Sequence, residues 1–122
     1  MVKILVAEDD AVMLHLMETL MELEGHEVVT VSRPEQILAV ARQESPALIM
    51  LDYHLAGGDV SEVLTELDQD DELKDVPVLV ASGMDHELHS RKVGADSFIL
   101  KPFRPTQVIE RINHMLAEHE DG

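Results

Sequence analysis

The 122-residue chain contains no cysteine. That excludes a disulfide framework and any thiolate-ligated metal, and it fits a cytoplasmic protein. No apolar run approaches the ~20 residues that crossing a bilayer takes. The N-terminus has no basic region followed by a long apolar stretch, so no signal peptide is read there. Basic residues are scarce: 9 Lys and Arg stand against 25 Asp and Glu, a net charge of −16. Nucleic-acid binding rests on neutralising phosphates with basic side chains, so this balance argues against direct nucleic-acid contact and against anionic membrane surfaces. The expected partners are basic, or some of the acids hold a cation; most of the acids read as solvated surface. With 45% hydrophobic residues and no linker, repeat or composition shift, residues 1–122 read as one domain with no output domain attached.

Four apolar runs are present, and each stops at a reactive polar residue. Ile4-Leu5-Val6-Ala7 stops at Glu8-Asp9, Leu48-Ile49-Met50-Leu51 at Asp52, Val78-Leu79-Val80-Ala81 at Ser82, and Phe98-Ile99-Leu100 at Lys101. Short runs rich in branched residues read as strands buried on both faces. Strand-like and helix-like segments alternate along the chain, predicting an α/β domain: a doubly wound, five-stranded parallel sheet. Strands are expected over about 2–7, 27–31, 47–51, 76–81 and 97–100. The first helix, about 10–24, shows Val12, Leu16, Leu20 and Leu23 at helical spacing, and Gly25 ends it. Met13, Met17 and Met21 form a second stripe, read as the core edge or as a docking surface for a partner helix. Ser32 and Glu35 suggest a capping box around Pro34, with Ile37, Leu38 and Ala41 inward. Asp59 and Glu62 suggest a capped third helix burying Val60, Val63, Leu64 and Leu67. A short fourth helix ends near Gly94, and a fifth, opening at Pro105, buries Val108, Ile109, Ile112 and Leu116. Asp68, Asp70, Asp71 and Glu72 read as a solvated loop, since the glycine and ligand alternation of a calcium loop are missing.

In a parallel sheet the carboxyl ends of the strands share one edge, and ligands bind outside it. The first β–α turn, Glu8-Asp9-Asp10-Ala11-Val12, lacks the glycines that let a backbone approach a dinucleotide pyrophosphate. Glu8 and Asp9 taken alone also suit helix capping, but Asp10 is the better cap. With Asp52 they place three carboxylates at one edge, a costly arrangement without a cation. Mg²⁺ suits such a hard oxygen site. Ser82 offers a hydroxyl or a helix cap. Lys101 closes an apolar strand before Pro102, where a solvated lysine has no obvious duty. Positioning plus charge neutralisation is what phosphoryl transfer requires.

These residues resemble, over essentially the whole length, the receiver domain of bacterial two-component response regulators. Lys3 to Asp10 looks like the opening strand and acidic pair, Leu48 to Asp52 the phosphoacceptor strand, and Gly94 to Phe103 the lysine–proline signature. The resemblance implies a flavodoxin-like (βα)5 fold with strand order 2-1-3-4-5. It implies Asp52 as the phosphorylated nucleophile, and Mg²⁺, with Mn²⁺ as a substitute, held by Glu8, Asp9, Asp52 and the main-chain carbonyl of His54. Ser82 and Lys101 would contact the phosphoryl oxygens, Ser82 and Phe98 would carry the switch, and the Lys101–Pro102 bond would be cis. The implied partners are a histidine kinase or histidine phosphotransfer protein and a downstream output protein or missing output domain. Dimerisation would use the face made by the fourth helix, fifth strand and fifth helix. Such a domain is a switch, not an enzyme with a diffusible product.

Departures from the pattern are Ala56 and Val60, where the family often has proline and glycine, which leaves the loop shape open. His54 and Met84 match positions that tune dephosphorylation. Two rival readings fit the sequence less well: a constitutive binding module without phosphotransfer, and a haloacid dehalogenase-type phosphatase, which would need a second aspartate where His54 stands.

Overall fold

The computed structural model describes residues 2–57, 60–83, 90, 92 and 94–121. Five parallel strands, β1 (Lys3–Ala7), β2 (Glu27–Val31), β3 (Leu48–Asp52), β4 (Val78–Ser82) and β5 (Ser97–Leu100), form one sheet in the order β2-β1-β3-β4-β5. The helices are α1 (Ala11–Leu23), α2 (Pro34–Glu44), α3 (Ser61–Gln69) and a C-terminal helix (Pro105–Asp121). The expected fourth helix and the expected Asp59 cap lie outside the described residues. No helix among those described is long and apolar enough to cross a membrane.

Alternation along the strands divides the core between the two sheet faces. Leu5, Ala7, Ile49, Leu51 and Val80 meet Ile37 and Ala41 of α2 and Leu64 and Leu67 of α3. Ile4, Val6, Leu48, Met50 and Leu79 meet Met17 and Met21 of α1 and Val108, Ile112 and Met115 of the C-terminal helix. Both faces of the central strands are therefore covered, which is why these strands read as unbroken apolar runs.

The buried stripe of α1 differs from the expected one. Met17 and Met21 are fully buried, whereas Val12, Leu16 and Leu23 are 80%, 39% and 77% exposed. Two adjacent apolar stripes share the helical period, so spacing alone cannot choose between them. The entry from β1 through Asp10 sets the rotation: the Asp10 carboxylate accepts the Val12 and Met13 amides at 3.0 and 3.1 Å. The unbranched methionines then fill the space over Ile4, Val6, Leu48 and Met50.

Three smaller expectations also change. The residue before α2 is Arg33, without a side-chain cap bond, so Ser32 and Glu35 form no capping box; Pro34 opens the helix. On the C-terminal helix Met115 is buried, while Ile109 and Leu116 are only partly so. Asp70 is not a solvated loop residue, because its shielded carboxylate pairs with Arg42. That hydrogen bond holds the Asp70 carboxyl below the usual range. Gly94 sits at φ +118° where a Cβ would stand 3.0 Å from Asp68 Cβ and 3.1 Å from the Leu64 carbonyl, so only glycine fits.

Candidate functional site

The sheet register aligns the strand ends. Ala7 faces Leu51, Asp52 faces Ala81, and Ser82 faces Leu100. The strand order reverses between β1 and β3, opening the crevice in which such sheets bind ligands. Two further backbone bonds extend the ladder at this edge: Glu8 N–H donates to the Val31 carbonyl at 3.0 Å and Lys101 N–H to the Ser82 carbonyl at 2.6 Å. They fix the backbone from which Glu8 and Lys101 project.

Glu8, Asp9 and Asp52 each bring a carboxylate oxygen to within 4.8 Å of the others. Lys101 Nζ lies 3.4 Å from Glu8 Oε2 and 3.5 Å from Asp52 Oδ1. The expected pairing with Asp52 is thus present, and Lys101 is shared with Glu8 as well. Glu8 is buried and also accepts the Asp10 amide at 3.1 Å. Burial pushes its carboxyl above the usual range and the Asp52 charge adds to this, while Lys101 and the Asp10 amide pull it back. Among the described residues, one ammonium facing three carboxylates leaves the edge short of positive charge.

Ser82 is buried at the end of β4. Phe98 is 8% exposed, packed into the core on the α2–α3 side. The Lys101–Pro102 peptide is cis. His54 is exposed, its ring edge-on to Tyr53 with centroids 5.0 Å apart, and its amide reaches Asp52 Oδ1 at 3.4 Å. Met84 lies outside the described residues. A contact that side-chain patterns did not foretell is a backbone one: the Ala56 amide donates to Asp9 Oδ2 at 3.1 Å.

A family model described as the response regulator receiver domain matches residues 4–113. The chain belongs to the response regulator receiver domain family. The receiver domain is 34% identical over 121 residues to the alkaline phosphatase synthesis transcriptional regulatory protein PhoP of Bacillus subtilis, covering 97% of this chain and 50% of that protein. It is 29% identical over 122 residues to the phosphate regulon transcriptional regulatory protein PhoB of Pseudomonas aeruginosa, covering 98% of this chain and 53% of that one. The chain spans about half the length of these curated relatives. Among solved structures, a CheY-like response regulator receiver domain protein from Methanospirillum hungatei superposes with a TM-score of 0.89 at 26% identity, covering 98% of this chain and 96% of that one.

The raised Glu8 carboxyl gives the receiver domain a definite pH response. A folded-state pKa above the unfolded value means that Glu8 favours folding most at acidic pH. That contribution is fully present below the ordinary carboxylate value of 4.5 and is lost as pH rises through the raised folded value. Glu8→Gln lacks this loss. Its melting temperature relative to wild type, followed in EDTA, is expected to climb across that window; a difference that shrinks with rising pH would contradict the assignment.

Proposed function

We propose that this receiver domain accepts a phosphoryl group on Asp52 from a phosphohistidine of a histidine kinase or histidine phosphotransfer protein. The observation that carries this reading is the shared Lys101 ammonium, 3.5 Å from Asp52 and 3.4 Å from Glu8, beside three converging carboxylates. An Asp52 oxygen attacks phosphorus, the phosphorus–nitrogen bond breaks, and the imidazole leaves. Lys101 turns from Asp52 towards the arriving phosphoryl oxygens, and the Ser82 hydroxyl at the same edge donates to them.

The donor set fits a hard divalent cation: three carboxylates within 4.8 Å, one of them buried with a raised carboxyl, are relieved by added positive charge. Glu8, Asp9 and Asp52, with the His54 main-chain carbonyl, would hold Mg²⁺ or Mn²⁺. Bound there, the ion would supply charge neutralisation for the transferred group. Ser82 and Phe98 pass occupancy to the face formed by β5 and the C-terminal helix. That face serves an output protein, an output domain or a second copy. No diffusible product is released other than phosphate on decay, and the setting is cytoplasmic.

The donor's surface must touch the rim of the site for its histidine to reach Asp52. Val12 and Leu16 lie exposed on the first turns of α1, next to that rim. Their stripe runs into a groove of about 440 Å³ lined by Leu20, Leu23, Pro105 and Ile109. We assign this surface to the phosphodonor protein. The combined Val12→Ala, Leu16→Ala variant is expected to slow transfer from a phosphohistidine protein about tenfold, the equivalent of roughly 1.4 kcal/mol. Uptake from acetyl phosphate stays unchanged. Equal slowing with both donors would place the effect inside the site and remove the docking assignment. The wider proposal is tested by following uptake from acetyl phosphate with Mg²⁺ and with EDTA: uptake that proceeds equally in both counts against it.

A further inference from the structure

The loop after Asp52 carries an unusual backbone. Ala56 sits at φ 54°, ψ 33°, inside the short 3₁₀ segment Leu55–Gly57. This left-handed region is disfavoured for any residue with a Cβ and persists only where the surroundings hold it. Here they do. Leu55 and Val60, on either side, are both fully buried. The Tyr53 amide is tied to the Ala81 carbonyl at 2.8 Å and the Val60 amide to the Tyr53 carbonyl at 3.2 Å.

The consequence of this backbone turn is the amide's direction. Ala56 N–H donates to Asp9 Oδ2 at 3.1 Å, bridging 47 positions of sequence from the β3–α3 loop to the β1–α1 turn. Asp9 is exposed, so without a fixed donor its carboxylate would rotate freely in water. Among the described residues this is the hydrogen bond that the Asp9 carboxylate accepts. One amide leaves a lone pair on Oδ2 and all of Oδ1 unused, so the bond orients the carboxylate without consuming it.

We propose that Ala56 is a positioning residue: its backbone N–H, aimed by the left-handed turn, holds the exposed Asp9 carboxylate in place to ligate a divalent cation. The proposal rests on the reading of Glu8, Asp9 and Asp52 as a cation site, and it assigns to a main-chain group the orienting duty that side chains usually perform around metals. The device needs a residue with an N–H and a tolerance for positive φ. Proline at 56 supplies neither, because it lacks the hydrogen and fixes φ near −65°.

The test uses Mn²⁺ as probe, with binding read by electron paramagnetic resonance on the whole chain. Replacing Ala56 by the corresponding α-hydroxy acid turns its amide into an ester and removes the donor alone. The ester chain is expected to bind Mn²⁺ about tenfold more weakly, the usual effect of losing a ligand's supporting bond. Ala56→Gly, which keeps the N–H and adopts positive φ freely, retains wild-type affinity. Wild-type affinity in the ester chain, with affinity lost in Asp9→Ala, overturns the positioning role and leaves the cation site standing. No saturable Mn²⁺ binding in the wild type overturns both. A readout independent of the ester is hydrogen exchange at the Ala56 amide in apo protein, expected to accelerate in Asp9→Ala; unchanged exchange there also overturns the proposal.

Discussion

Met21→Ala is expected to destabilise the domain by about 2–5 kcal/mol, the range for truncating a large buried side chain and leaving a cavity. For a domain of this size that is a large share of a total near 5–15 kcal/mol. Met21 is fully buried, in the cluster that also holds Ile4, Val6 and Leu48 of the sheet and Val108 and Ile112 of the C-terminal helix. Leu23, two positions on and the more hydrophobic residue by reputation, is 77% exposed. Leu23→Ala should therefore change stability by no more than about 0.5 kcal/mol. Urea unfolding of the two variants checks the contrast. Equal losses, or a larger one at Leu23, would mean that α1 presents its other stripe to the sheet.

The second large effect is expected at Lys101. Its ammonium is the one cation placed, among the described residues, within 4 Å of both Glu8 and Asp52. Lys101→Ala should reduce the rate of phosphoryl uptake from acetyl phosphate about 10²–10³-fold, the usual cost of deleting one preorganised partner of a developing oxyanion. Stability should fall at neutral pH, since three carboxylates then face one another uncompensated. The deficit should shrink as pH falls, because the buried Glu8 carboxyl takes up a proton and relieves it. Lys101→Arg separates the two roles. It keeps the charge and so should recover much of the stability. Its broad planar fork cannot reproduce the point charge of an ammonium, so the rate should stay low. A Lys101→Ala protein that takes up phosphate at the wild-type rate would remove the lysine from the chemistry.

Much of this arrangement is legible in the sequence because a parallel sheet turns chain order into geometry. Each buried strand is an apolar run, each run ends at the same edge, and so Glu8, Asp52, Ser82 and Lys101 are announced by where hydrophobicity stops. What escapes has a physical reason in each case. The rotation of α1 is set by the Asp10 cap, and two apolar stripes one residue apart carry the same period. Asp70 looks like any acid in a polar loop until the fold brings Arg42 from α2 beside it. The Ala56–Asp9 bond is invisible because its donor is main chain: alanine has no polar side chain to signal it, and the direction of an amide depends on φ and ψ.

The most direct test of Asp52 as phosphoacceptor is chemical. Incubated with Mg²⁺ and acetyl phosphate, the intact chain should gain the mass of one phosphoryl group. Borohydride trapping followed by peptide mapping should place the modification at residue 52, and Asp52→Asn should show neither. No gain under trapping conditions, or a label on Glu8 or Asp9 instead, would contradict the account.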